Sequence, residues 1–423
     1  MSLVVQHGRV IDPANGIDAH LDVLIDEGKI AQVGAGLRGE RAIDATGSVV
    51  CPGFVDLHAH FREPGFESKE TIASGALAAA HGGFTSVVTM PDTKPPIDNA
   101  GMLEFIHRRA RETACVRICP AAAATKARQG QEMTEMAELR DVGAVAVTDA
   151  DQDIDSSWVL RRVLEYARMV GLPFLAHCDD VSLQDSGHMN EGYNSTRLGI
   201  PGMPAAMQEV RIDRAIRLAR LTGAHVHIQC VSTAEGVRLV REAKAEGLRV
   251  TAETSPHYFM LTDAAVEIYG PNAKVNPPLR TDDDVQAVKD GLREGIIDAI
   301  ATDHSPHTFT EKDVEFQLAP FGLMGLETAL PSTLSALVEP GLLALSDAIA
   351  LLTCKPARVI GLNAGTLAVG AAADVTVFKA DAEYALQPSL IKSRSKNSPY
   401  TGTTLRGKVT HTICDGAVVY EAK

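Results

Sequence analysis

No stretch of the sequence approaches the roughly 18 consecutive apolar residues of a membrane-spanning helix, so no membrane partner is expected. Nor does the amino terminus, Met1-Ser2-Leu3-Val4-Val5-Gln6-His7-Gly8, carry a basic stretch followed by a long apolar run, and a secretory signal is not expected. The seven cysteines (51, 115, 119, 178, 230, 354 and 414) are odd in number, scattered and without a Cys-x-x-Cys pair, the pattern of reduced thiols in a cytosol. Repeats and low-complexity tracts are missing as well. Positive charge is in deficit: a formal net charge of −14 argues against nucleic acid or an anionic membrane surface, although a small anionic substrate responds to local charge and stays open. What is left is a cytoplasmic enzyme of ordinary globular composition, 45% hydrophobic and 22% charged. Its 423 residues suffice for one large domain and a smaller one.

Residues 1–51 hold short β-like runs broken by turns, and residues 365–423 hold similar ones punctuated by Gly402, Gly407 and Gly416. Neither piece offers enough apolar surface for a stable domain, so the two ends are expected to form one small β-sandwich together. Between them, residues 52–364 alternate apolar β-branched runs with amphipathic helical stretches, the signature of a parallel α/β architecture. Strands are expected over 54–60, 85–90, 116–122, 144–149, 173–178, 225–231, 249–255 and 298–304, and eight is the number that closes a (β/α)8 TIM-type barrel. Helices are expected over 70–81, 100–112, 157–170, 205–221, 234–246 and 283–294; in the third, Val159, Val163 and Tyr166 share one stripe. The stretch 308–320 lacks a clear period and reads as a mobile loop near the site.

The first of these strands ends in Asp56-Leu57-His58-Ala59-His60-Phe61-Arg62. Side chains of a strand repeat with period two, so His58 and His60 project the same way and can converge on one ion. The other strands follow suit at their carboxyl ends, with Asp92, Asp149 and Asp151, His177, Cys230, Glu253 and His257, then Asp303, His304 and His307. Taken singly, His177 could be a satisfied core imidazole, Cys230 a small buried hydrophobe and Asp303 a loop cap. Those readings do not explain why all fall at one barrel mouth, where active sites of this architecture lie, nor why imidazole, thiolate and carboxylate together suit zinc.

These residues sit in long blocks: Cys51-Pro52-Gly53-Phe54-Val55 running through to Arg62-Glu63-Pro64-Gly65, Gly82-Gly83-Phe84-Thr85-Ser86-Val87, Met189-Asn190-Glu191-Gly192, Lys274-Val275-Asn276-Pro277-Pro278-Leu279-Arg280, Ala301-Thr302-Asp303-His304-Ser305-Pro306-His307, and Ala319 to Thr328. Over nearly its whole length the chain resembles the dihydroorotases of the amidohydrolase superfamily, in their long bacterial form. The resemblance implies a zinc enzyme that reversibly cyclises N-carbamoyl-L-aspartate to dihydroorotate in pyrimidine synthesis. It implies that His58, His60 and Asp303 hold the main zinc, that His177 and the position of Cys230 serve a second, and that Asp303 moves the proton between water and the ring nitrogen. Arg62, Asp92, Asn276 and His307 occupy the positions that hold the substrate and its carboxylate, for which an arginine fork is suited. A homo-oligomer, and aspartate transcarbamoylase as a partner, are further expectations of the same kind.

Three positions depart from the family pattern. Asp92 stands where the family has Asn, and a carboxylate about 4 Å from the substrate carboxylate would be repelled by about 4 kcal/mol at an effective dielectric near 20. Either Asp92 is protonated, or it pairs with Arg62 or Lys94, or the substrate differs. Ala150 falls where a bridging Asp is expected, so the bridge is either missing or supplied by Asp151 or Asp149 after a one-residue shift. Cys230 replaces a His; a thiolate can ligate zinc, so the change either preserves a ligand or records a lost second metal. The expectation is one firmly held zinc and an altered or absent second. Two rivals remain. Hydantoinases and allantoinases typically bridge two metals with a carboxylated lysine, and no lysine occurs between Gly143 and Val170. A non-catalytic scaffold for aspartate transcarbamoylase would be expected to lose primary ligands, yet His58, His60, His177 and Asp303 are all present.

Overall fold

The computed structural model describes residues 2–422. Both chain ends enter one eight-stranded sheet, ordered Ala417–Glu421, Thr404–Cys414, Val375–Ala385, Val49–Pro52, Leu3–Asp12, Ile17–Asp26 and Lys29–Gly34, with Arg41–Asp44 off this path. The strand Leu3–Asp12 serves two neighbours along one edge, pairing in parallel with Arg41–Asp44 through its first half and with Val49–Val50 through its second. A register shift between Val5 and Gly8, with His7 at φ 63°, marks the bulge where it bends from one to the other. The sheet encloses an apolar cluster that includes Val5, Val10, Val23, Ile30, Val375 and Ile413, drawn from both termini.

From Pro52 the chain passes through a single residue, Gly53, into the first barrel strand, Phe54–Ala59. Glycine is required there, because a Cβ would lie 2.2 Å from the Thr85 hydroxyl oxygen. The parallel barrel continues through Phe84–Thr89, a third strand interrupted at Ala121 (Arg117–Pro120 and Ala122–Ala123), Val147–Thr148, Phe174–Ala176, Val226–Ile228, Val250–Thr254 and Ala299–Ile300. It closes where Ala59 bridges His304 and Thr302 donates its backbone N–H to Asp56 at 2.8 Å. The fold is the α/β barrel with a terminal β-sheet that the patterning predicts. Several strands are shorter than the apolar runs that announce them. The sixth ends at Ile228 and the eighth at Ile300, because Cys230 and Asp303 leave the ladder with φ of 53° and 46°.

Residues alternate across the barrel wall. Phe84, Val147, Phe174, Val226, Val250 and Ile300 share a core with the outer helices, whereas Leu57, Val88, Cys119, Ala146, Leu175 and Ala299 form a separate cluster. The helices Ile72–Gly82, Ala100–Thr113, Ser157–Val170, Ala206–Thr222, Ala234–Ala245 and Asp282–Arg293 lie close to their predicted spans. In Ser157–Val170, Ser156 caps the amino end and Gly171 ends the helix at φ 78°, while Val159 and Val163 are buried and Tyr166 packs against the core they belong to. The segment expected to be mobile contains the turn Phe309–Lys312 and is tied by Lys312, whose buried ammonium donates to the carbonyls of Pro271 and Pro320 at 2.9 and 2.8 Å. Among the described residues no helix is long and apolar enough to cross a membrane.

Candidate active site

His58 and His60 are buried at the end of the first barrel strand, and each has a carboxylate at its Nδ1. His58 Nδ1 donates to Glu253 Oε1 at 3.1 Å, and His60 Nδ1 lies 2.9 Å from Asp92 Oδ2 in ion-pair contact. The Nε2 atoms are thereby turned to a common point. Asp303 Oδ1 sits 3.8 Å from His58 Nε2 and 3.7 Å from His60 Nε2, and Asp151 Oδ1 sits 3.3 Å from His60 Nε2. Two donors on one tetrahedral ion with bonds of ~2.1 Å stand about 3.4 Å apart, so this spacing suits ligands that share a metal. His58 Nε2 is also buried without a hydrogen-bond partner, an orphan that a cation would satisfy. The donor set therefore fits a divalent ion, and Asp151, of the two alternatives to Ala150, is the carboxylate brought to it. Asp149 is engaged elsewhere, accepting from the backbone N–H groups of Ala124 and Thr125 at 2.9 and 3.0 Å.

Burial pushes the Asp303 carboxyl up, but the surrounding rings of His60, His58 and His257 outweigh it and hold it down at about 2. His177 lies across from His58, ring centroids 6.3 Å apart, with its Nδ1 3.3 Å from Asp179 Oδ2. Burial alone would lower its pKa; Asp179, Asp151 and Asp303 raise it to about 9. Cys230 is brought to His58 rather than to His177: its Sγ is 3.5 Å from His58 Nδ1, and it clusters with His58 and Asp303. Among the described residues no set of three ligand atoms within 4.8 Å joins His177 to Cys230.

The four positions assigned to substrate are all buried or nearly so, and each is already engaged. Arg62 donates from Nη1 to Asp92 Oδ2 at 2.5 Å and from Nη2 to Ser305 Oγ at 2.6 Å. Of the alternatives for Asp92, the pair with Arg62 is the one formed. Burial raises that carboxyl, but His60 and Arg62 together bring it below its ordinary value, so it is ionised. Asn276 donates to Asp179 Oδ2 at 2.5 Å, and His307 donates from Nε2 to the Phe321 carbonyl at 2.7 Å. Burial, with Arg62, Lys69 and Lys312 nearby, pushes His307 down to about 2 and keeps it neutral.

Two residues without a predicted role stand in the same constellation. Glu253 holds His58, and the sequence signal for it is a carboxylate between Ala252 and Thr254 in an otherwise buried strand. His257, on the turn Pro256–Met260, places its buried and unpartnered Nε2 3.8 Å from Asp303 Oδ2, and its position just past the end of the seventh strand was the available sign.

Residues 47–236 match the family described as Dihydro-orotase-like. The chain is 48% identical to the dihydroorotase of Geobacter sp. (strain M21) and 47% identical to that of Citrifermentans bemidjiense, with all of each chain covered. Among solved structures it is similar to the L-hydantoinase (dihydropyrimidinase) of Arthrobacter aurescens, at 26% identity and a TM-score of 0.90 over 99% of this chain and 96% of that one. It is also similar to the dihydropyrimidinase of Brevibacillus agri, at 25% identity and a TM-score of 0.87 over 100% and 95%. With the barrel, the paired histidines and full-length identity to named relatives in agreement, the chain belongs to the dihydroorotase family of cyclic amidohydrolases.

Proposed function

We propose that this protein interconverts N-carbamoyl-L-aspartate and dihydroorotate in pyrimidine synthesis, with one zinc ion held by His58, His60, Asp151 and Asp303. The observation that carries the reading is the convergence of His58 Nε2 and His60 Nε2 on Asp303 Oδ1, each histidine having a carboxylate at its other nitrogen. Bound there, zinc supplies an electrophile that polarises the substrate carbonyl and lowers the pKa of water. Asp303 Oδ1 faces the two imidazoles, which leaves Oδ2, on the His257 side, to take the proton from water and return it to the ring nitrogen. In the closing direction the same oxygen receives the proton of the attacking ureido nitrogen. Arg62 supplies the cation for the substrate carboxylate, with Asn276 and His307 beside it.

Residues 52–364 form the catalytic unit in this reading and residues 1–51 with 365–423 the accompanying sheet, in a cytoplasmic homo-oligomer. Carbamoyl aspartate and dihydroorotate are its small-molecule partners. The test is purified protein supplied with zinc and assayed in both directions. Interconversion by the wild type and its loss in H58A are expected. An H58A variant as active as the wild type sinks the mechanism, and an inactive wild type that binds aspartate transcarbamoylase favours a scaffold instead.

A further inference from the structure

The inner wall of the barrel is polar along one seam. The side chains of His225, just before the sixth strand, His227 on it, and Thr251 and Glu253 on the seventh make an unbroken hydrogen-bonded series that ends at His58. His225 Nε2 and His227 Nδ1 both lie 2.9 Å from Thr251 Oγ1, His227 Nε2 lies 3.0 Å from Glu253 Oε2, and Glu253 Oε1 takes His58 Nδ1 at 3.1 Å. Nothing in the reaction as derived above uses His225, His227 or Thr251. Yet His227 and Glu253 are completely buried. Apolar residues of similar volume would fill the seam without the cost of burying an imidazole and a carboxylate there.

Donor and acceptor counting gives the series one direction. An ionised carboxylate only accepts, so both imidazoles that meet Glu253 must present N–H groups to it. With one proton on the His227 ring, that proton sits on Nε2 and the lone pair on Nδ1 accepts from the Thr251 hydroxyl. With that single proton spent, Thr251 Oγ1 accepts from His225 Nε2–H. Burial, with the Arg249 guanidinium nearby, pushes His225 down to about 4, so it is neutral. Every contact is satisfied once, and the result at the far end is that His58 bears its proton on Nδ1 and its lone pair on Nε2.

We propose that Glu253, His227 and Thr251 are a positioning relay that locks His58 in the tautomer whose Nε2 faces the metal position. The proposal rests on the zinc reading of the site. Partners of this kind are typically worth about 10–100-fold in metal affinity.

The experiment is zinc titration of the metal-stripped full-length protein, with thermal unfolding of the metal-free forms alongside. H227L removes the N–H that faces Glu253, while H227Q can still place an N–H there. Zinc affinity is expected to fall about tenfold or more in H227L and E253Q, and to stay within about threefold of wild type in H227Q. A packing role would instead lower the unfolding temperature of the metal-free protein equally in H227L and H227Q and leave zinc affinity unchanged, and that result overturns the relay. If H227L does not fold, T251V against T251S gives the same reading: weaker zinc binding in T251V alone supports the relay, and equal binding overturns it. A wild type that takes up no zinc overturns the metal reading and the relay with it.

Discussion

Asp92 shows how a residue that looks wrong for its site becomes intelligible once its neighbours are known. Its carboxylate lies between the Arg62 guanidinium at 2.5 Å and His60 Nδ1 at 2.9 Å, so it neutralises the cation proposed for the substrate while supporting a histidine proposed for the metal. D92N should separate the two effects. The KM for dihydroorotate is expected to fall about fivefold, the equivalent of roughly 1 kcal/mol, as Arg62 regains its charge. Zinc affinity should fall about tenfold as His60 loses its carboxylate. A rise in KM would mean that Asp92 is needed to hold Arg62 in place. Cys230 calls for a different test. It lies beside His58 Nδ1, which Glu253 already occupies, so a second ion there would find no imidazole nitrogen to share. C230S is therefore expected to bind as many zinc ions per chain as the wild type, one in each; a drop from two to one on metal analysis would show that the thiolate holds an ion of its own.

At the scale of elements, what the sequence disclosed depended on how local the cause was. The helix Ser157–Val170 was legible to the residue, because Ser156 and Gly171 stop it by backbone chemistry that neighbouring residues dictate. S156A should cost about 1 kcal/mol in urea denaturation and leave zinc uptake untouched, since this helix packs on the outer side of the barrel strands. All eight barrel strands were legible as apolar runs, but their ends were not. At Cys230 and Asp303 the chain leaves the ladder with positive φ, and periodicity carries no sign of that turn. The histidine pair could be read because two side chains at alternate positions of one strand share a face. Glu253 and His257 gained their roles from residues 195 and 46 positions away, and only the closed barrel supplies those neighbours.

For the molecule as a whole, the question is whether the terminal sheet and the barrel are separable. Phe378 of the sheet packs on Phe54 of the first barrel strand, ring centroids 6.4 Å apart, and Phe378, Val409 and Cys414 belong to the same apolar cluster as the barrel helices. Arg117, on the third barrel strand, adds ion pairs to Asp374 at 2.8 Å and Asp415 at 2.6 Å across the junction. Closing a sheet from both chain ends also costs loop entropy that the folded barrel between them removes. One cooperative transition is therefore expected. Fluorescence of the single tryptophan, Trp158, which reports on a barrel helix, should change at the same urea concentration as circular dichroism, which reports on both parts. R117A leaves the nearly buried Asp374 without its partner, and after allowance for the partial exposure of Arg117 it should destabilise by about 2 kcal/mol. The two signals should move to lower urea together. If circular dichroism moves and Trp158 does not, the sheet unfolds on its own, and the two ends of the chain hold a domain that the barrel merely carries.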